Sequence, residues 1–138
     1  MHIVLISTPI GSLGSGKGGG VEITLNSLVS GLAEQGHFLD IVAPINSKLL
    51  ETSKKVKLHV VEGEEQISWQ HQDFYSPASI PNNSLLSAMT EKALILGKKA
   101  DIVLNFSYDW LPIWMTLNID IPIAHLISMV SESSVISL

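Results

Sequence analysis

Short apolar runs rich in β-branched residues alternate with helical patterns along this chain of 138 residues. The first run, residues 2–8, predicts a strand that is buried on both faces, as strands of parallel sheets are. Further strands are predicted at residues 37–43, 56–61, 101–106 and 121–129. Strands that alternate with helices imply a parallel sheet with right-handed crossovers. We therefore expect an α/β fold: one three-layer, doubly wound, Rossmann-like domain over residues 1–138, with about five parallel strands ordered 3-2-1-4-5.

The helices are predicted from apolar residues at helical spacing and from end signals. The first helix carries Val21, Leu25, Leu28, Val29 and Leu32 and ends at Gly36, a favoured residue just after a helix. A second covers residues 86–96, with Asn82 or Asn83 as its cap. Shorter helices are expected at residues 47–53 and 110–117. The alternating pattern of residues 56–61 places that strand near the edge of the sheet.

Composition excludes several classes of protein. Hydrophobic residues make up 46% and charged residues 15%, which excludes a disordered tail. The net charge is -5, and all eight basic residues are lysines, so a groove-reading nucleic-acid binder is excluded. Cysteine is absent, and the histidines lack metal-ligand spacing, with His59 and His71 standing alone. No apolar run approaches the roughly 18 residues of a membrane span, and no secretory signal precedes the first strand, so we expect a cytoplasmic protein.

The loop of residues 9–20 holds most of the ten glycines and has three interpretations. Residues 11–18 nearly match a nucleoside-triphosphate P-loop, but Gly18 replaces the Ser or Thr that binds Mg²⁺. Residues 14–19 fit a dinucleotide fingerprint, yet they lie too far from the strand for its tight turn, and Asp40 falls inside the second strand. In the third, Gly18, Gly19 and Gly20 let a phosphate bridged to a sugar approach backbone N–H groups at a helix N-terminus. A flexible surface loop is the simpler alternative.

Three segments together resemble one family. Residues 7–22 read Ser-Thr-Pro-Ile-Gly-Ser-Leu-Gly-Ser-Gly-Lys-Gly-Gly-Gly-Val-Glu, residues 105–112 read Asn-Phe-Ser-Tyr-Asp-Trp-Leu-Pro, and residues 122–129 read Pro-Ile-Ala-His-Leu-Ile-Ser-Met. In this order they resemble glycosyltransferase family 4, and within it the cyanobacterial pteridine (biopterin) glucosyltransferases.

The resemblance implies a GT-B enzyme with two Rossmann-like domains, of which this chain is the N-terminal, acceptor-side one. It implies a retaining transfer of a sugar, glucose above all, from a UDP-glucose type of nucleotide sugar to a small hydroxylated acceptor such as a pterin. It also implies no tightly bound cofactor and no metal. The partner is the missing C-terminal domain, and an apolar docking surface left open could drive self-association. This chain alone is expected to be inactive.

The alternative is a non-catalytic nucleotide-binding or interaction module of the same fold. The reading frame downstream separates the two hypotheses, because the family's second domain carries a basic pair and an E-x7-E motif. If that domain is not encoded there, the hypothesis of a non-catalytic module is favoured.

Asp109 is the candidate catalytic residue, because its carboxylate could take a proton or a hydrogen bond from an acceptor hydroxyl. It could equally cap the helix that begins near Trp110, and Glu22 could simply complement a helix dipole. His125 is not assigned the family's active-site role, because the position matching that histidine is Ser128. Tyr108 and Trp110 could stack a flat acceptor ring, and Trp69, Phe74 and Tyr75 could form a flap. The substrate-binding residues predicted here are Gly18, Gly19, Gly20, Glu22, Asn105, Ser107, Tyr108 and Ser128.

The sequence of the glycine loop leads to a testable prediction. Gly19→Val is expected to impair sugar transfer far more than folding, because a surface loop contributes little to core packing.

Overall fold

The structure is a computed structural model that describes residues 1–65, 75, 79–107 and 109–127. Strands and helices alternate along these residues. They are β1 (His2–Ile6), α1 (Gly19–Glu34), β2 (Phe38–Pro44), β3 (Val56–Val61), α2 (Leu85–Gly97), β4 (Ile102–Asn105), α3 (Trp110–Thr116) and β5 (Ile123–His125). Within these ranges, no helix combines the length and the apolar character that crossing a membrane requires.

The five strands form one parallel sheet in the order β3-β2-β1-β4-β5, which confirms the predicted fold class and strand order. Side chains of a strand alternate between the two faces. Ile3 and Leu5 of β1 therefore join Leu25 and Val29 of α1 in a core on one face. On the other face Val4 and Ile6 of β1 pack with α2 residues in a second core. The domain thus has three layers, with the sheet between helices.

The ends of α1 follow the predicted signals. The helix begins at Gly19, and Gly36, just past its end, has a φ of +88°, which a residue without a Cβ adopts readily. The Gly36 N–H donates to the carbonyl of Ala33 at 2.9 Å, and the His37 N–H donates to that of Leu32 at 3.1 Å. These bonds satisfy carbonyl groups that the helix leaves open and turn the chain into β2.

Two local predictions are wrong. The hydroxyl of Ser84, and neither Asn82 nor Asn83, caps α2 by accepting the Ser87 N–H at 3.1 Å. Residues 47–53 form no helix. Asn46 takes a left-handed φ of 65°, and the Ser47 hydroxyl accepts the Leu13 N–H of the glycine loop. Ser47 is therefore used to hold a distant loop, which the local sequence pattern does not reveal.

A close backbone contact joins the end of β3 to the start of α2. The Glu64 N–H donates to the Asn83 carbonyl at 2.6 Å, and the Leu85 N–H donates to the Glu64 carbonyl at 3.0 Å. A Cβ on Gly63 would lie only 2.5 Å from the Cα of Leu85. Glycine at position 63 is what allows the two backbones to meet, and their contact holds the end of β3 to the start of α2.

Candidate functional site

The glycine loop is held in place between β1 and α1. Gly11, Gly14 and Gly16 have φ values of 69°, 88° and 77°, a region that favours glycine. The Leu13 N–H donates to Ser47 Oγ at 2.8 Å, and the Leu13 carbonyl accepts the Lys48 N–H at 2.9 Å. These bonds tie the middle of the loop to the segment that follows β2.

The three consecutive glycines differ from one another. Gly18 is the N-cap of α1 and supplies no side-chain cap, and a Cβ on it would lie 2.9 Å from Thr8 Cγ2. This contact puts Gly18 just past the carboxyl end of β1, as the sequence predicts. Gly19 and Gly20 are exposed, with nothing within 4 Å of a Cβ on either. The first turn of α1 therefore offers backbone that a ligand can approach closely.

Gly19 differs from Gly20 in its backbone, since its φ is +55°. A β-branched residue at such a φ is strained. The expectation that Gly19→Val leaves folding almost untouched is therefore not supported by the structure: the substitution costs stability directly. Gly20 has no positive φ and is the better probe of a ligand.

Glu22 is buried beneath the glycine loop, only 7% exposed. Its Oε1 accepts the Gly14 N–H at 2.5 Å. Its Oε2 is buried too and has no hydrogen-bond partner among the described residues, although it lies near Gly18. A buried carboxylate oxygen without a partner is costly, by about 1–3 kcal/mol or more. Glu22 therefore does more than complement the dipole of α1. It holds the glycine loop through Oε1, while its Oε2 is an acceptor without a partner among the described residues.

A second polar group lies at the carboxyl ends of β4 and β5. The Asn105 side-chain oxygen accepts the Ser107 N–H at 3.0 Å, and its amide nitrogen lies 3.0 Å from His125 Nδ1. Ser107 is 1% exposed, and its Oγ has no hydrogen-bond partner in the described part of the chain. Because β4 lies beside β1, this group and the glycine loop share one edge of the sheet.

His125 has a partner on each ring nitrogen. Asn105 donates to Nδ1, and Nε2 lies 3.2 Å from the Thr116 hydroxyl, which itself donates to the Pro112 carbonyl at 2.7 Å. The neutral ring with its proton on Nε2 satisfies all of these bonds. His125 therefore links β5 to α3 as a satisfied sheet-face histidine, the interpretation that the sequence favours.

Burial lowers the pKa of His125, so we expect its ring to stay neutral as the pH falls through 6.5, where a free imidazole gains its proton. Stability from the neutral ring is complete above that pH and is lost as the pH falls toward the lower folded-state pKa. An NMR titration of the ring protons measures this directly. A His125 midpoint at or above 6.5 would contradict the prediction.

Asp109 is the N-cap of α3, and its Oδ1 accepts the Leu111 N–H at 3.1 Å. The side chain is 7% exposed. Burial raises the pKa of the Asp109 carboxyl, and the N–H groups of Leu111 and Trp110 oppose this in part. A raised pKa suits proton transfer, but the capping role already accounts for the position of this side chain.

The remaining residues named from the sequence form two groups, those outside and those within the described residues. Tyr108 and Ser128 lie outside the described residues, as do Trp69, Phe74 and His71. Trp110 is half-buried at the start of α3, and Tyr75 is 88% exposed.

A cleft of about 190 Å³ opens at the carboxyl ends of β2 and β3. Val61 and Leu85 line it, as do Lys17 and Glu65, neither of which forms an ion pair with any described residue. None of the substrate-binding residues predicted from the sequence lines it. The sequence signals that could have indicated it are Lys17 within the glycine loop and Pro44 at a strand end.

Among the described residues, no group of three or more His, Cys, Asp or Glu side chains is arranged to hold a metal ion. No protein-family model matches this chain, and no curated protein matches it. The side chains at the carboxyl edge of the sheet are therefore what bears on function.

Proposed function

We propose that this chain is the acceptor-side domain of a retaining glycosyltransferase that resembles family 4. In this role it receives a small hydroxylated acceptor at the carboxyl edge of the sheet, beside a nucleotide sugar of the UDP-glucose type. The observation that carries the proposal is Oε2 of Glu22 under the glycine loop, which has no hydrogen-bond partner among the described residues. Ligands of open α/β sheets bind at this edge, near the point where the strand order reverses, here between β1 and β4.

Hydroxyl groups fit two buried oxygens at this edge that lack a hydrogen-bond partner in the described part of the chain. Glu22 Oε2 can only accept a hydrogen bond when ionised, and Ser107 Oγ can donate and accept one. Neither atom contacts solvent, so a ligand hydroxyl reaches Glu22 only when the loop between Gly14 and Gly18 shifts. The acceptor hydroxyl would then replace the missing partner, and its binding would stabilise the moved loop.

The exposed side of the same loop fits a diphosphate. Gly20 and the rest of the first turn of α1 present backbone N–H groups without a side-chain cap. Such groups stabilise the negative charge that grows on a leaving diphosphate. Glu22 points back into the loop toward Gly14, so its carboxylate and the diphosphate would lie on different sides of the glycines.

An apolar surface gives the second domain a place to dock. Trp114 of α3 and Leu117, just after its end, are 50% and 60% exposed, and Ile127 after β5 is 49% exposed. A polar solvent-facing helix would not need such side chains. We assign this surface to the C-terminal domain of the complete enzyme, and self-association to the chain when that domain is missing.

The direct test is the complete reading frame that contains these residues. Purified enzyme is incubated with UDP-glucose labelled in the sugar and with a pterin, and the label in the acceptor is measured. Transfer with retention at the anomeric carbon, undiminished by a chelator, is expected. Hydrolysis alone, or binding of a nucleotide without transfer to any acceptor of a panel of small alcohols, would contradict the proposal.

The cleft beside Lys17 favours a second candidate, a small nucleotide-binding module without chemistry. Lys17 supplies a positive charge that no described residue pairs, and Glu65 supplies an acceptor for ribose hydroxyls. Titration of the 138-residue chain with UDP separates the two candidates: the module binds UDP by itself, whereas the acceptor-side domain needs its partner.

Gly20→Ala tests the role of the glycines without disturbing the fold. The added methyl meets no atom within 4 Å, and alanine favours a helix over glycine by about 1 kcal/mol. We expect an equal or higher melting temperature and a fall in kcat/KM of more than about tenfold, or roughly 1.4 kcal/mol, because the methyl blocks the diphosphate. Gly31→Ala, in the same helix and also in open space, is the matched control and should leave kcat/KM unchanged. Equal values of kcat/KM for the two variants would contradict the hypothesis that this loop binds the diphosphate.

A further inference from the structure

Three polar side chains meet on the α2 face of the sheet, in its amino-terminal half. Asp40 of β2 lies opposite Val4, a residue of the core under α2. His2 Nε2 contacts Asp40 Oδ2 at 2.5 Å, and His59 Nε2 contacts Asp40 Oδ1 at 2.6 Å. The sequence prediction that His59 stands alone is wrong, because residues far apart in sequence come together across β1, β2 and β3.

The two histidine rings differ in the number of donors that their partners can use. Besides Asp40, His2 contacts the Lys99 carbonyl through Nδ1 at 3.1 Å. A carbonyl and a carboxylate can only accept, so both contacts of the His2 ring are satisfied when both ring nitrogens donate, which is the imidazolium form. His59 donates to Asp40 from Nε2, and its Nδ1 has no hydrogen-bond partner among the described residues, so a proton added there adds charge without breaking the contact.

The group is shielded enough for its charges to matter. The side chains of His2, His59 and Asp40 are 32%, 24% and 11% exposed. Burial by itself would raise the pKa of Asp40, but the hydrogen bonds from His59 and His2 and their positive charges together lower it. The Asp40 carboxylate therefore contributes stability above about pH 3.9, its usual unfolded value, and loses it as the pH falls through the lower folded-state pKa.

Other charged groups lie on the same side of the sheet as these three side chains. The His2 N–H donates to the carboxylate of Asp101 at 2.7 Å, which leaves the ring of His2 to Asp40. Beyond Asp101, the elements on this side of the sheet carry the following charged groups: the Met1 ammonium, Lys57 of β3, and Glu91, Lys92, Lys98 and Lys99 of α2 and its end.

We propose that His2, Asp40 and His59 form a proton-controlled clasp that holds the edge strand β3 to β2 and β1 most firmly under mildly acidic conditions. An imidazole ordinarily changes charge between about pH 5 and pH 8. A neutral imidazole has a single donor, so without its second proton His2 can keep only one of its two ring contacts, and Asp40 loses its charge as the pH falls through its lowered folded-state pKa. β3 ends at Val61, which lines the cleft. The clasp therefore makes the stability of this part of the cleft lining depend on pH.

The test compares urea unfolding of the 138-residue chain and of Asp40→Asn, His59→Gln and His37→Gln from pH 3 to pH 8. Glutamine keeps a donor near the Nε2 position but cannot be charged. We expect Asp40→Asn to lower the folding equilibrium constant about tenfold or more at pH 5.5, less at pH 8 and least at pH 3. His59→Gln should show the same profile at smaller amplitude. His37→Gln is the control, because the ring of His37 contacts the Met1 ammonium and no carboxylate among the described residues. The titration of His125 cancels in each difference.

Two further measurements do not depend on the variants folding well. Nitrogen-15 NMR of the unmodified chain at pH 5.5 should show both ring nitrogens of His2 protonated. Amide hydrogen exchange should quicken between pH 5.5 and pH 8 more in β3 than in β4, after correction for the intrinsic pH effect. A His2 ring with one bare nitrogen at pH 5.5, a difference between Asp40→Asn and the unmodified chain that does not change with pH, or equal quickening in both strands would overturn the clasp.

Discussion

Gly63→Ala should lower the free energy of unfolding by about 3 kcal/mol, and the melting temperature by about 10 °C. The new Cβ would lie 2.5 Å from the Cα of Leu85, 2.7 Å from its nitrogen and 3.1 Å from the Asn83 carbonyl oxygen. All three atoms belong to the backbone, so no side chain can rotate away. The two hydrogen bonds of Glu64 must lengthen or break for the methyl to fit.

Chemical denaturation of the 138-residue chain measures this effect, with two glycine variants as references. Gly31→Ala meets nothing within 4 Å in the interior of α1 and should stabilise the chain by about 0.5–1 kcal/mol. Gly97→Ala meets the Val103 side chain at 2.8 Å, which can adjust, so its loss should fall between the two. If Gly63→Ala proved no worse than Gly97→Ala, the backbone contact at Leu85 would be looser than described.

Glu22→Gln should lower kcat/KM of the complete enzyme by about 10- to 100-fold, as expected for loss of a hydrogen bond to a charged group worth about 1.5–3 kcal/mol. The amide oxygen of glutamine can still accept the Gly14 N–H. Its NH₂ group, however, puts a donor in place of the acceptor Oε2, and a donor cannot accept a hydrogen bond or a proton from the hydroxyl of the sugar acceptor. The loss should fall on the acceptor KM and on kcat, while the KM for the nucleotide sugar changes little.

Glu34→Gln is the matched control, since Glu34 is exposed at the other end of the same helix. It should leave all kinetic constants within experimental error. Thermal unfolding of Glu22→Gln separates loop structure from chemistry. A large fall in melting temperature with kinetics in proportion to the folded fraction would make Glu22 a structural residue and would remove the observation on which the proposed function rests.

The sheet could be predicted because its signals are local. Each strand is a short apolar run, each helix has an apolar stripe, and Gly36 marks one helix end unambiguously. The cap of α2 could not be predicted as well, because Asn82, Asn83 and Ser84 are all good capping residues and the Glu64 backbone selects among them. The helix predicted at residues 47–53 does not form for a related reason. The Ser47 hydroxyl accepts a hydrogen bond from a loop more than thirty positions away.

The candidate site could be predicted only at the level of which residues lie at the edge of the sheet. Strand ends and the glycine loop indicated Glu22, Asn105, Ser107 and Asp109, and the structure places all four at that edge. Which of their oxygens are satisfied depends on partners such as Gly14 and His125 that come from other elements. The meeting of His2, Asp40 and His59 depends in the same way on strand register, which a single sequence does not encode visibly.

The joined backbones of residues 63–64 and 83–85 also bear on how such a protein can change over time. Their hydrogen bonds hold the end of β3 and the start of α2 to each other directly through the backbone. Residues inserted between positions 65 and 82 would therefore begin and end at adjacent, fixed points, and doubling the length of a closed loop costs only about 0.6 kcal/mol of chain entropy. We expect insertions there, in a laboratory library or in nature, to leave this contact between β3 and α2 in place. New ligand preferences could arise there without a new fold.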